Sequence, residues 1–213
     1  MAAAILFDLD GTLLNTLGSL AEAFNSSLAD MSCPPHDIDA YRHFIGNGAR
    51  VAAMRALPPT RQQLEDINQC VEGFKQHYQA NWRSATVFAG IPEILAQLSH
   101  LPLAVLSNKD EVFTRQCCDY FFPGVFQAVV GFSETVKAKP DPSGALSIAS
   151  EFQLNISDLW MVGDTATDMK TACACDMTGV GVLWGFRDRD ELANGGATHI
   201  INNPSELSGL LGL

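Results

Sequence analysis

Short apolar segments that end in polar residues recur along the chain, and stretches with helical spacing separate them. The apolar segments are residues 3–9, 103–106, 128–130, 159–162, 179–184 and, more weakly, 198–202. The helical stretches between them are residues 91–101, 111–122, 142–152 and 166–175. Continuous apolar runs are typical of parallel strands that are covered on both faces. The alternation of strand and helix therefore predicts an α/β domain built on a parallel sheet.

One interval, from residue 16 to residue 85, breaks this alternation because it has helical patterns and no convincing strand. Five apolar residues recur there at steps of three and four, as one face of a helix requires: Leu64, Ile67, Val71, Phe74 and Tyr78. Proline pairs at 34–35 and 58–59 divide the interval into separate helices. The sequence predicts a core domain of residues 1–15 and 86–213, with a helical domain of residues 16–85 inserted after the first strand.

The charge of the chain limits its partners. A formal net charge of -11 argues against a general affinity for nucleic acid and against attraction to anionic membranes. An acidic protein can still bind a phosphate ester where a divalent cation and local lysines reverse the sign of the charge inside the site.

The six cysteines include no CxxC pair, so free thiols are expected. The first apolar run meets Asp8 too early to be a signal peptide or a membrane span, which predicts a cytoplasmic protein.

The first apolar segment leads into Asp8-Leu9-Asp10-Gly11-Thr12. Side chains two apart in an extended segment point the same way, so Asp8 and Asp10 leave the strand end on one side. Two carboxylates this close repel each other unless a cation lies between them or one takes a proton. Both conditions suit phosphoryl transfer, with one carboxylate as nucleophile and the other as proton donor. An acidic turn without function is the alternative.

A second acidic cluster, Gly163-Asp164-Thr165-Ala166-Thr167-Asp168, ends another apolar segment and begins a helix. Asp164 is expected at the strand tip and Asp168 one helical turn later. Carboxylate oxygens in such a place suit Mg²⁺ better than zinc. An N-capped helix start is the alternative for this cluster taken alone.

Two further segments have polar groups at expected strand ends or helix starts. Ser107 and Asn108 follow a third apolar segment, where they could bind phosphate oxygens or form a simple turn. Lys139 begins the segment Lys139-Pro140-Asp141-Pro142, whose prolines restrict the backbone just before a helix. This lysine could offset the charge of the carboxylates or lie in solvent as a surface lysine.

Together, the four segments resemble the motifs of the haloacid dehalogenase superfamily, and within it the phosphoglycolate phosphatase-like branch. The resemblance covers essentially the whole chain, because the segments occur in the family's order. It implies a Rossmann-like parallel sheet with helices on both faces and an α-helical cap inserted after the first motif. Ligands in such sheets bind where the strand order reverses, which would bring Asp8 beside Ser107 and Asp164.

The resemblance also implies catalytic roles. Asp8 is expected to form an aspartyl-phosphate, and Asp10 to protonate the leaving alcohol and then activate water. Lys139 would stabilise the charge of the phosphoryl group.

Binding roles follow in the same way. Thr12, Ser107 and Asn108 would bind the phosphoryl group. The Mg²⁺ ligands would be Asp8, Asp10 through its backbone carbonyl, and Asp164, with Asp168 in support.

In the inserted domain, Phe44-Ile45-Gly46-Asn47-Gly48-Ala49-Arg50 resembles the cap segment of phosphoglycolate phosphatases that faces the active site. Gly46, Asn47 and Gly48 allow a turn whose amides face a ligand. Arg50 could bind the carboxylate of a short acid. The alternatives are a turn that only joins two cap helices and an arginine that projects into solvent.

The sequence thus predicts a magnesium-dependent phosphatase for a small phosphorylated metabolite, phosphoglycolate-like in chemistry. A phosphotransferase of the mutase kind is the nearest alternative, because it shares the nucleophile and differs only in the acceptor. A catalytically silent phosphate-binding module is another. A dehalogenase is disfavoured, because those relatives lack the acid/base aspartate that Asp10 supplies. The sequence leaves the oligomeric state open.

Overall fold

The computed structural model describes residues 2–212, and the chain divides into two compact units. One unit is Asn15–Thr86, and the other is formed by the rest of the described chain. Among residues 2–212, no helix has both the length and the apolar character needed to cross a membrane. The six cysteines are free thiols, as predicted.

The strands and helices are numbered in chain order. The strands are β1 Ala4–Phe7, β2 Leu14–Asn15, β3 Thr86–Val87, β4 Leu103–Asp110, β5 Ala128–Phe132, β6 Leu159–Gly163, β7 Thr178–Val182 and β8 His199–Ile201. The helices are α1 Leu17–Asp30, α2 Tyr41–Phe44, α3 Ala49–Ala56, α4 Leu64–Asn81, α5 Ile91–Gln97, α6 Glu111–Phe121, α7 Ser143–Phe152, α8 Ala166–Ala174, α9 Arg189–Asn194 and α10 Glu206–Leu211.

The larger unit is built on a six-stranded sheet of order β5-β4-β1-β6-β7-β8, in which every neighbouring pair is parallel. Its central strand β1 is buried along its whole length, which explains its unbroken apolar sequence. Helices flank this sheet, so the predicted α/β Rossmann-like fold is confirmed. The strand order reverses at β1, which lies between β4 and β6.

Several predicted boundaries were inaccurate. β1 ends at Phe7, and β4 continues to Asp110 although its apolar run stops at Leu106. β7 ends at Val182, so Trp184 lies beyond the strand to which the sequence assigned it. In each case the backbone pairing with a neighbouring strand, and not the apolar run, decides where the strand ends.

The smaller unit is helical, and α1, α3 and α4 are its longer helices. α4 buries Ile67, Cys70, Phe74 and Tyr78. The predicted face was wrong at Leu64, which is 61% exposed at the start of the helix, and it missed Cys70. Stacked rings occupy the centre of the unit, with 4.0 Å between the centroids of Phe24 and Phe74.

Candidate active site

The two acidic clusters meet because their strands are neighbours. The backbone N–H of Asp8 donates to the carbonyl of Val162, which continues the pairing of β1 with β6. Asp164 follows the end of β6 by one residue. Asp8 is 6% exposed and Asp164 is fully buried. The reversal of strand order at β1 thus places both carboxylates at the carboxyl edge of the sheet.

Lys139 connects the groups at this edge. Its ammonium donates to Asp8 Oδ1 at 2.8 Å, to Asp168 Oδ1 at 2.6 Å and to the carbonyl oxygen of Leu106 at 2.8 Å. An ammonium has three protons to donate. The three acceptors therefore fix the position of this cation, and the lysine side chain is only 3% exposed.

Asp168 has two tasks. Its Oδ1 accepts from Lys139, while its Oδ2 accepts from the backbone N–H and the hydroxyl of Thr165. The second set belongs to a capping box in which Thr165 and Asp168 satisfy the first turn of α8. Helix formation by α8 and the orientation of the Asp168 carboxylate therefore depend on the same hydrogen bonds.

Asp10 is paired with a lysine that the sequence analysis missed. The Lys109 ammonium contacts both carboxylate oxygens of Asp10 at 2.9 Å, and its side chain is 5% exposed. Lys109 directly follows Asn108 and lies inside β4, because that strand runs beyond its apolar part. A lysine next to a candidate phosphate-binding pair was the available signal.

A second missed segment follows β7. Trp184 Nε1 donates to the carbonyl oxygen of Thr12 at 2.9 Å, and the backbone N–H of Phe186 donates to Asp164 Oδ2 at 2.8 Å. The first contact joins residues 172 positions apart, and the second joins residues 22 positions apart. No local sequence pattern indicates pairs so distant.

The electrostatics of the site follow from burial. Burial is the main cause that raises the pKa of Asp8 to about 7; Lys139 opposes the rise and the charge of Asp168 adds to it. Burial, followed by the charges of Asp8 and Asp168, holds the pKa of Asp164 well above its usual range. Burial alone would lower the pKa of Lys139, but Asp168 and Asp8 outweigh it and raise that pKa. The lysine is therefore a cation, and it lies beside carboxyl groups whose ionised forms are disfavoured by burial.

A hard divalent cation fits this arrangement. Asp8, Asp164 and Asp168 each offer a buried carboxylate oxygen within 4.8 Å of the others. Burial first, and the charges of neighbouring carboxylates after it, raise the pKa values of Asp8 and Asp164, so a cation bound here would favour their ionised forms. Carboxylate oxygens are the donors that Mg²⁺ and Ca²⁺ prefer.

The predicted phosphate-binding residues lie at the same edge but make contacts within the protein. Thr12 Oγ1 donates to Asp164 Oδ1 at 3.4 Å, and Ser107 Oγ accepts from the backbone N–H of Lys109. The side-chain amide of Asn108 pairs at both ends with the backbone of Lys139, donating to its carbonyl and accepting from its N–H. Asn108 thus holds the Lys139 backbone against β4.

The profile of haloacid dehalogenase-like hydrolases matches residues 5–182, which is most of the chain. The chain belongs to this family. The resemblance stated from the motifs is confirmed, and the match includes the segments of Asp8, Ser107, Lys139 and Asp164.

Curated relatives within the haloacid dehalogenase-like hydrolases include phosphoglycolate phosphatases. The protein of that name from Pectobacterium atrosepticum is 31% identical over 191 residues, which cover 85% of this chain and 80% of the relative. Phosphoglycolate phosphatase 1 from Pseudomonas aeruginosa is 29% identical over 210 residues, covering 95% of this chain and 77% of the relative. A structure described as a predicted phosphoglycolate phosphatase from Haemophilus somnus superposes with a TM-score of 0.90 at 24% identity, covering 99% and 98% of the two chains, and shows the same fold.

The remaining predicted residues of this hydrolase lie in the unit Asn15–Thr86. Gly46 and Gly48 have φ angles of 103° and 86°, and α3 begins directly after Gly48. Arg50 lies in the first turn of α3 with an exposed side chain, and its Nη1 donates to Asn68 Oδ1 at 2.8 Å. The turn that leads into α3 thus contains Gly46, Asn47 and Gly48, and Arg50 follows it in the helix. The role of these four residues in substrate binding stays a prediction.

Proposed function

We propose that this hydrolase is a magnesium-dependent phosphatase that cleaves a small phosphorylated acid through an aspartyl-phosphate on Asp8. One observation carries the proposal: Asp8, Asp164, Asp168 and Lys139 converge, buried, at the carboxyl edge of the sheet. Burying this many ionisable groups costs folding free energy, and such clusters are typical of active sites in which charge moves during the reaction. Family membership and the names of the curated relatives support the same conclusion.

The first chemical step belongs to Asp8. Its Oδ1 is held by Lys139, so Oδ2 is the oxygen available for attack on phosphorus. A bond forms between that oxygen and phosphorus while the bond from phosphorus to the ester oxygen breaks. Lys139 contributes its charge from a fixed position, because its three donors already have acceptors.

Asp10 moves the proton in both halves of the reaction. Its carboxyl group donates a proton to the departing alcohol, and its carboxylate then removes one from the water that attacks the aspartyl-phosphate. The products are the alcohol, inorganic phosphate and free Asp8. Lys109 holds both oxygens of Asp10 in the structure, so one of these contacts opens when Asp10 carries its proton.

Magnesium, when bound, would neutralise phosphoryl oxygens. Asp8, Asp164 and the backbone carbonyl of Asp10 are the proposed ligands, with Asp168 in support. Thr12, Ser107 and Asn108 are the proposed partners of the phosphoryl group. In the structure the side-chain amide of Asn108 bonds to the backbone of Lys139, so the same amide would have to serve both Lys139 and the phosphoryl group.

The substrate is proposed to carry a carboxylate, as phosphoglycolate does. The relatives that bear this name support the substrate class. Gly46, Asn47, Gly48 and Arg50 are the proposed recognition residues, because discrimination among esters must come from outside the groups that bind the phosphoryl part shared by all of them.

The test is release of inorganic phosphate from a panel of phosphate esters with Mg²⁺, alongside the same panel with chelator. Phosphoglycolate is expected among the best substrates, and beryllium fluoride is expected to be held at Asp8 and at no other carboxylate. Transfer of phosphate to an added sugar, and not to water, would identify a mutase-like phosphotransferase. No phosphate from any ester, with the fold intact, would overturn the proposal and leave a phosphate-binding module.

A further inference from the structure

The segment after β7, residues Trp184, Gly185 and Phe186, reaches back to both acidic clusters. Trp184 donates its indole N–H to the carbonyl oxygen of Thr12, in the turn that follows β1. Phe186 donates its backbone N–H to Oδ2 of Asp164. One short segment thus binds the turn after Asp8 on one side and the carboxylate after β6 on the other.

Gly185, between these two donors, lies where no side chain fits. A Cβ at Gly185 would overlap the side chain of Asp164 and the carbonyl oxygen of Gly11. A Cβ at Gly11 would in turn overlap Asp164 and the ring of Phe186. The two glycines let three backbone segments meet around one buried carboxylate, so a shift in any of the three moves Asp164.

We propose that residues 184–186, here called the 184–186 segment, position Asp164 and the turn after β1 for cation binding. None of the three is proposed to touch cation or substrate, so they are positioning residues. The inference rests on the proposed metal site, and it adds that the affinity of this site is set partly from the loop after β7.

Two hydrogen bonds restrict the orientation of the Asp164 carboxylate. A carboxylate with both oxygens engaged, Oδ2 by Phe186 and Oδ1 by the Thr12 hydroxyl, keeps one orientation. A ligand that is already oriented loses little freedom when a cation binds. Outer partners of metal ligands typically change affinity or activity by about 10- to 100-fold when they are lost.

Trp184 is the residue through which this can be tested. The indole is a donor only, and Trp184→Phe removes that donor while it retains an aromatic ring. Trp160→Phe is the matched control: it is the same chemical change in the same unit, at a ring that lies against His199, with 6.1 Å between centroids.

The measurement is calorimetric titration of each chelator-treated protein with Mg²⁺, together with the Mg²⁺ dependence of turnover. Trp184→Phe is expected to weaken Mg²⁺ binding by about tenfold and to keep kcat at saturating Mg²⁺ within about twofold. Trp160→Phe is expected to match the wild type. Unchanged Mg²⁺ affinity in Trp184→Phe, even with a lower Tm, would reduce the segment to a structural role and overturn the inference.

A second measurement does not depend on the folding of Trp184→Phe. In a Trp82→Phe/Trp160→Phe variant the emission comes from Trp184, and Mg²⁺ is expected to change it at the same concentrations that calorimetry reports. Binding without any change in emission would contradict the inference and leave the metal site standing. If the wild type itself takes up no Mg²⁺, the proposed metal site fails, and the 184–186 segment loses its role with it.

Discussion

The carboxyl edge of the core sheet and the turn at residues 46–50 of the smaller unit differ in how strongly their side chains are constrained. At the sheet edge Asp164 is fully buried and Asp168 is 1% exposed, and each accepts hydrogen bonds from more than one donor. In the turn, Arg50 is exposed and bonds to the exposed side chain of Asn68.

Under the proposed function, this difference corresponds to two tasks of a phosphatase. Groups that act on the phosphoryl part serve every substrate, so they gain from being fixed in advance. Groups that distinguish one ester from another gain from a surface that tolerates change. Substitutions at the sheet edge are therefore expected to affect all substrates strongly, and substitutions in the turn to affect some substrates mildly.

The largest expected effect is at Asp8, the proposed nucleophile. Asp8→Asn should lower turnover of every ester by about a thousandfold or more, because an amide does not supply the attacking oxygen. Phosphate release measures it, and Asp119→Asn, the same change at an exposed residue of α6, is the control. Activity within threefold of the wild type would rule out the covalent route.

Loss of the lysine beside Asp10 should have the next largest effect. Lys109→Met leaves the Asp10 carboxylate without the ammonium that holds both its oxygens, so kcat should fall by about 10- to 100-fold for all esters. Lys137→Met is the control, because the Lys137 side chain is 80% exposed. A kcat within twofold of the wild type would show that Asp10 needs no such partner.

A smaller and more selective effect is expected in the turn. If Arg50 binds the substrate carboxylate, Arg50→Ala should lower kcat/KM for phosphoglycolate by about tenfold and leave a neutral ester of similar size nearly unchanged. Arg42→Ala supplies the control, since Arg42 is a partly exposed arginine of the same unit. Equal changes in kcat/KM for both esters would mean that other residues determine specificity. The turn and the sheet edge would then not differ in the way proposed.

The smallest expected effect is on stability. Burial raises the pKa of Asp8 to about 7 in the folded protein, against 3.8 for the unperturbed carboxyl group. The folded chain binds this proton more tightly than the unfolded chain does, so protonation of Asp8 increases the free energy of unfolding. This contribution is fully present below about pH 4 and is lost as the pH rises through 7.

Asp8→Asn has no such proton to lose. In chelator, its Tm should therefore exceed that of the wild type by a few degrees near pH 8, and the difference should shrink towards pH 4. Thermal scans at several pH values measure it, with Asp119→Asn for comparison. A difference that stays constant with pH would mean that Asp8 titrates as it does in water.

The sequence predicted those parts of the molecule that depend on local patterns. Unbroken apolar runs marked the core strands, because strands buried on both faces need no polar residues. Acidic residues directly after two of them marked the edge where Asp8 and Asp164 now lie together, since the carboxyl ends of parallel strands share an edge.

The parts that the sequence did not predict depend on contacts between distant segments. Lys109 was not predicted as a site residue because it follows the apolar run of β4. The strand extends past this run to Asp110, which pairs with β5. Trp184 was assigned to a strand, although its indole contacts a residue 172 positions away. Cys70 on α4 is different, because it follows Ile67 by three positions and precedes Phe74 by four, so the helical spacing alone already indicated that it is buried.

The double use of Asp168 has a consequence for protein engineering and for evolution. Its carboxylate caps α8 and accepts a hydrogen bond from Lys139. A substitution of Asp168 would therefore remove the cap of the helix and also release the Lys139 ammonium. An inactive but well-folded version of this protein is therefore better sought at Asp8, which caps no helix. For the same reason, a lineage that abandoned catalysis would keep Asp168 longer than Asp8, and an aspartate surviving at this position would be poor evidence of an active enzyme.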